Sequence, residues 1–419
     1  MSVSAAVTAV SAKADKPIPF MEPSVTDSSM GPGAPPAGAP LGRPSQALRT
    51  ALVLLRPGVA AAAAPRDATA TSAPRGYLFE DMFDVAWDQR LLDGKPWSPL
   101  PAWLRLALEV HRRRAEYDVV VTWGERLTFA LLALQRLRGG GTPHIAFISQ
   151  FAKPNVAGPM RLLGRHLRAV LAFTSVQRDY AVRHGLVDAD RLFLIRYYVD
   201  HRFFHPRPGA GDLVCAVGAE MRDYPTLFAA LDGTAIRCHV AAGEVRVPGR
   251  LRLVRDRRVR VADLATRPNP HVTIGRKTVT ELRDLYAQSR FVVVPLLPSQ
   301  SDNGVTVILE AMAMGKAVIC TRTAGQVDVI EDGVTGLLVP AGDPVALRAA
   351  IHALWHDPER AAAMGARGRA RVERHHTLEG FCVNVGQAIG AAMAGTPAGR
   401  GWWDADQAPP ASSPDAPAR

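Results

Sequence analysis

Ser299-Gln300-Ser301-Asp302-Asn303-Gly304-Val305-Thr306-Val307-Ile308-Leu309-Glu310-Ala311-Met312-Ala313-Met314-Gly315 places two carboxylates, Asp302 and Glu310, eight positions apart around a glycine turn. Asp302 stands in a polar loop, Gly304 supplies a turn, and the apolar run from Val305 predicts a short helix with Glu310 just inside it. A loop entering a helix leaves backbone N–H groups unpaired at the positive end of the helix dipole, which suits phosphate. A carboxylate on either side of that cradle can accept hydrogen bonds from hydroxyls. The pattern therefore describes a pocket for a molecule with a phosphorylated middle and hydroxyls at both ends, as in a sugar nucleotide.

The pattern continues downstream in Lys316-Ala317-Val318-Ile319-Cys320, Gly325, and Asp332-Gly333-Val334-Thr335-Gly336-Leu337-Leu338-Val339-Pro340. Over roughly residues 210–380 these motifs resemble the donor half of the family-4 retaining glycosyltransferases (glycosyl transferases group 1). That resemblance implies an α/β chain of the GT-B fold, two Rossmann-like domains facing each other across a cleft. It implies that Asp302 meets the donor sugar, that the backbone of Asn303, Gly304, Val305 and Thr306 meets the phosphates, and that Glu310 meets the ribose. Asp302 replaces the family's first glutamate, and the turn glycine comes two positions after it instead of three.

The rest of the chain has the matching order of elements. Short apolar runs alternate with longer helical stretches, which predicts parallel sheets covered by helices. Asp118–Gly124 reads as a strand leading into a helix over Glu125–Arg138; His144–Ser149 and Ala169–Ser175 read as further strands, Val176–His184 as a helix and Arg191–Ile195 as a strand. Tyr197–Pro206 resembles the family's junction between domains, with Tyr198 where the glycine belongs. Leu213–Gly218 reads as the first strand of the donor domain, and Pro225 suits the first turn of the next helix. After Gly218 the family carries an arginine and then a lysine aimed at the diphosphate. Arg222 takes the lysine's place, Ala219 has lost the arginine, and Lys277 is the candidate replacement. The expected domains are a tail over 1–45, an acceptor-side domain over 46–205, a donor domain over 206–385, and a C-terminal tail over 386–419 that returns to the first domain.

Composition agrees. A chain of 419 residues exceeds what one hydrophobic core usually supports, and 47% hydrophobic residues is ordinary for a globular protein. Cys215, Cys238, Cys320 and Cys382 stand singly, which reads as reduced core residues of a cytosolic protein. Net charge is +11, but only six of the 50 basic residues are lysines, and no aromatic-interleaved basic motif accompanies the arginines. Nucleic acid is therefore not expected as a partner. His111-Arg112-Arg113-Arg114 and the run Arg161–Arg168 suit either a solvated helix face or peripheral contact with an anionic membrane surface. Residues 1–45 and 404–419 have the composition of disordered segments, and Ala51–Leu55, stopped by Arg56-Pro57, is too short to span a bilayer.

Asp188-Ala189-Asp190 reads as turn chemistry, and His352 and His356 lack a third ligand, so no metal is expected. The expected protein is a retaining, metal-independent hexosyltransferase using a nucleoside-diphosphate sugar as co-substrate and no cofactor. Asp302 and Arg222 are the catalytic candidates; Asn303, Gly304, Val305, Thr306, Glu310, Lys277 and Gly218 are the donor-binding candidates. Glu125 is the candidate for the acceptor, whose identity the poorly matched first half does not specify. A dinucleotide-dependent oxidoreductase is disfavoured because no Gly-x-Gly-x-x-Gly comes after a strand. A non-catalytic sugar- or partner-binding protein on a degenerate GT-B scaffold stays open, on the strength of Asp302 and Ala219.

Overall fold

The computed structural model describes residues 50–54, 74, 100–139, 141–247, 257–265, 269–299, 302–323, 325–326 and 328–398. The proline-rich segments over 1–45 and 404–419, and Gln300 and Ser301, lie outside them.

The first sheet is built from β1 (Thr50–Leu54), β2 (Val119–Trp123), β3 (His144–Phe147), β4 (Ala169–Ala172) and β5 (Leu192–Leu194), all parallel and in chain order. Its helices are α1 (Ala102–Arg112), α2 (Glu125–Arg138), α3 (Pro154–Leu163) and α4 (Ser175–Arg183). The strands are short unbroken apolar runs, as parallel strands buried on both faces must be. On one face Leu132, Val156, Met160 and Ala181 pack over Ala146, Val170 and Leu194. The other face is covered from far along the chain: Phe381, Cys382, Val385 and Ile389 of α10 (Leu378–Ala394) pack on Val121, Ile145, Phe147 and Leu171.

The second sheet has the order β10-β7-β6-β11-β12-β13, from β6 (Leu213–Val217), β7 (Cys238–Ala241), β10 (Val272–Ile274), β11 (Ser289–Val294), β12 (Ala317–Thr321) and β13 (Gly336–Val339), again parallel. A two-stranded antiparallel ribbon, β8 (Glu244–Val247) with β9 (Arg257–Arg260), stands beside it. Helices α5 (Tyr224–Leu231) and α8 (Pro344–Trp355) cover one face. On the other face lie α6 (Val279–Gln288), α7 (Val305–Ala313) and Val372 of α9 (Pro358–His375). Chain order runs outward in both directions from β6 and β11, so these neighbours form the topological switch point of the sheet. Open α/β sheets bind ligands in the crevice outside the carboxyl ends of such strands.

The four cysteines are free and buried. Among the described residues no helix is long and apolar enough to cross a membrane.

Candidate functional site

The loop leaving β6 turns at Gly218, with φ 104°, and passes through Met221, whose φ of 53° is the one positive value at a non-glycine among the described residues. A side chain held in that region costs about 1–3 kcal/mol and persists only when its surroundings impose it. The surroundings here are the loop after β11. Leu297 donates its N–H to the Met221 carbonyl (2.9 Å), and Asp223 donates to the Pro295 carbonyl (3.0 Å), so the two loops at the switch point are joined. Arg222 lies between them, buried, its Nε donating to Val217 O (2.8 Å) and its Nη1 to Glu220 O (2.7 Å). Burial lowers its pKa from the ordinary value.

Gly304 begins α7 in the left-handed region, φ 90°, and offers no side chain to cap the helix. The first-turn N–H groups at Thr306 and Val307 thus have no capping side chain from Gly304. A Cβ added at Gly304 would lie 3.0 Å from Val294 Cγ1 and 3.6 Å from Arg222 Nη1. The guanidinium and the open helix end therefore meet at this glycine. Thr306 is exposed and Val305 buried. Asn303 is fixed on both sides: its Nδ2 donates to Ser299 Oγ (3.0 Å), and its carbonyl accepts from Gln326 Nε2 (2.5 Å).

The sequence suggests a Glu310 near the helix start, but the structure places it sixth of the nine residues of α7. The dipole at a helix N-terminus, which acts within the first turn, therefore does not explain its presence. The Tyr286 hydroxyl donates to Glu310 Oε2 at 2.8 Å. Burial pushes the Glu310 carboxyl up to about 7, against the pull of Tyr286 and Arg222. A desolvated acid poised near neutrality is a recurrent property of functional sites.

Asp302 accepts a short hydrogen bond from the Tyr197 hydroxyl, which comes from the chain leaving β5 of the first sheet. Burial raises the Asp302 pKa; the Tyr197 hydrogen bond opposes the rise, and the nearby carboxylates of Glu125 and Glu220 add to it. Its side chain is not the cap of α7, since the residue in the cap position is Gly304. Tyr197 stacks on Phe173 (4.3 Å between ring centroids), Phe173 on Phe147 (5.5 Å), and Phe147 on Trp123 (4.5 Å), a row of rings along the carboxyl ends of the first sheet. Glu125 opens α2 directly after Gly124 and accepts a long hydrogen bond from Ser149 Oγ (3.4 Å). The acceptor candidate and the donor-sugar candidate thus interact electrostatically.

Beside this cluster lies a cleft of about 440 Å³, formed by Gly218–Glu220 after β6, Ala241–Val245 after β7, and Arg276 and Lys277 after β10. That volume lies within the usual range for small-molecule sites. Lys277 is exposed there, on the same cleft as Ala219, and Arg276 approaches Glu244 at 3.6 Å. The structure therefore gathers Gly218, Arg222, Asp302, Asn303, Gly304, Val305, Thr306 and Glu310 at the switch point. Lys277 lines the adjoining cleft, and Glu125 acts on Asp302 from the first sheet.

Four positions in contact with these residues and loops escape a sequence reading. Tyr286 and Tyr197, which hydrogen-bond to the two carboxylates, have nothing in their sequence neighbourhood that marks this role. Gln326 is fully buried, and its Oε1 has no hydrogen-bond partner among the described residues. Asp328 reaches α4, accepting from Ser175 N (2.7 Å) and Ser175 Oγ (2.6 Å). The loop after β12 thereby touches the helix that comes after β4. Only the Gly325 turn marks this loop as special in the sequence.

Residues 234–357 match the family model described as glycosyl transferases group 1. The α-maltose-1-phosphate synthase of Mycolicibacterium smegmatis is 28% identical over 226 residues, 48% of this chain and 58% of the relative. The chain thus spans little more than half of that relative's length. Among solved structures, sucrose-phosphate synthase from Thermosynechococcus elongatus superposes with a TM-score of 0.55 at 20% identity, covering 72% of this chain and 82% of the other. Anabaena HepE in complex with UDP-glucose gives 0.56 at 16% identity, covering 68% and 82%. At such identities the likeness speaks for the fold, an α/β GT-B architecture of two Rossmann-like halves facing across a cleft. Residues 234–357, in the second sheet, are thus similar to the group 1 glycosyltransferases, and the fold over about 70% of the chain is that of GT-B proteins.

Proposed function

We propose that the protein is a retaining, metal-independent glycosyltransferase that moves a hexose from a nucleoside-diphosphate sugar to an acceptor hydroxyl. The observation that carries this reading is the meeting of Asp302, the uncapped start of α7 and the Arg222 guanidinium at the switch point, with Glu310 one and a half turns along the same helix. The bound UDP-glucose of the HepE structure supports a donor of this class.

In this reading Glu310 accepts hydrogen bonds from the ribose hydroxyls, and the diphosphate lies on the amides of Thr306 and Val307 with Arg222 behind them. Lys277 reaches the diphosphate from the adjoining cleft. Asp302 holds the donor sugar by its hydroxyls. The bond between the anomeric carbon and the β-phosphate oxygen breaks, and a bond to the acceptor oxygen forms. The acceptor proton passes to the departing phosphate, so no side chain is assigned as base. Fixed amide dipoles and a fixed cation stabilise the charge that develops on the leaving group without reorganising. Glu125 meets the acceptor. In this reading the protein acts in the cytoplasm, with peripheral contact at the inner membrane face.

The test incubates the protein with UDP-, GDP- and ADP-hexoses, with and without a chelator, and monitors donor hydrolysis and transfer. Release of nucleoside diphosphate that survives chelation, with the product's anomeric configuration matching the donor's by NMR, is the expected result. Donor binding without turnover would instead identify a non-catalytic scaffold.

A further inference from the structure

A second cleft lies at the opposite, amino-terminal ends of the first sheet's strands. It measures about 620 Å³ and is lined by Arg136, His144, Arg165, His166, Arg168 and Arg191, with no acidic residue among its described lining. Arg191 and Arg168 are engaged, the former with Asp188 and the latter with the carbonyl of Ala392. Arg136 and Arg165 form no ion pair among the described residues, and neither do Arg138 and Arg161 beside them.

The same edge carries two exposed leucines. Helix α2 ends in Arg136-Leu137-Arg138 and α3 in Arg161-Leu162-Leu163, and the two helices pack against each other. Leu137 is 82% exposed and Leu162 68%. Isolated exposed leucines need no explanation. These two stand at the ends of two helices that pack together, Leu137 between Arg136 and Arg138 and Leu162 beside Arg161, next to a basic cleft. Nucleic acid would use the charge but would find no stacking surface. A protein partner would require a larger apolar area than two side chains supply. An interface of acyl chains and anionic headgroups uses both features together.

We propose that the amino-terminal edge of the first sheet docks on an anionic membrane surface, with Leu137 and Leu162 entering the interface and the arginine-lined cleft receiving lipid phosphate. The surface stands apart from the donor crevice, at the other end of the strands, so this proposal does not depend on the transferase reading.

Co-sedimentation of the full chain with vesicles tests it. Binding is expected to vesicles of phosphatidylcholine mixed with phosphatidylglycerol, to be weaker by about tenfold or more with phosphatidylcholine alone, and to fall as salt is raised. The L137S/L162S and R136Q/R138Q/R165Q variants should each lose about tenfold or more in vesicle affinity, with melting temperature and donor affinity unchanged. Equal binding to both lipid compositions, or variants that bind as the parent does, would overturn the proposal. Loss of binding only on truncation after Ala398 would overturn it in favour of the segment 399–419. A leucine variant altered solely in oligomeric state would overturn it in favour of a contact between copies of the chain.

Discussion

Glu310 holds its acid group partly out of water, and this has a definite consequence for stability. An unfolded carboxyl titrates near 4.5, whereas the folded one is raised to about 7. Between those values the folded chain binds the extra proton, so this group makes the ligand-free protein less stable as pH rises from about 4.5 to about 7. Glu310→Gln removes that dependence. Urea midpoints measured across this window should show the variant gaining on the parent as pH increases, while its affinity for a nucleoside diphosphate drops. Tyr197 acts on Asp302 in the opposite sense, stabilising the carboxylate. Tyr197→Phe should therefore raise the Asp302 pKa and move the acid limb of the pH–rate profile to higher pH. An unmoved limb would show that Asp302 does not titrate in the reaction. Gly304 is constrained by its backbone: at φ 90° an alanine costs about 1–2 kcal/mol, and its Cβ presses on Val294. Gly304→Ala should lower both the denaturation midpoint and nucleotide affinity.

Among the elements, α10 shows how far packing depends on long-range contacts. Phe381 is buried between Tyr198 and the first sheet, 4.5 Å from the Tyr198 ring centroid. Phe381→Ala should cost about 3–5 kcal/mol by urea denaturation, although the residue is far from the first sheet in the chain. Apart from the expected return of the tail over 386–419, nothing in Leu378–Ala394 marks which sheet it covers; an apolar face is local, but its partner is not. By contrast, α2 is legible from Glu125 to Arg138 because Gly124 and Gly139, both with positive φ, bound it. The strand readings over His144–Ser149 and Ala169–Ser175 overrun β3 and β4 for a physical reason. Ile148 and Phe173 remain buried after the ladder ends, and a sequence reports burial more directly than pairing. The carboxylates of the site are readable from their spacing around Gly304. Their tyrosine partners are not, because each lies far along the chain from its carboxylate and a packing tyrosine and a positioning tyrosine look alike in sequence.

At the scale of the molecule, the two sheets meet through Asp302 with Tyr197 and through Asp328 with Ser175. Asp328→Ala leaves the Ser175 N–H at the start of α4 without its carboxylate and should cost about 1–3 kcal/mol, read by denaturation. A donor that binds the folded chain alone must also stabilise it by mass action, about 2.7 kcal/mol at a hundred times its Kd. The most direct measurement is turnover of sugar nucleotides by the parent and by the Asp302→Asn/Glu310→Gln double variant under identical conditions. The parent is expected to release nucleoside diphosphate from one of the donors, and the folded double variant to lose donor stabilisation and at least about a hundredfold in rate. Undiminished donor binding and turnover in that variant would contradict a donor site built on these two carboxylates.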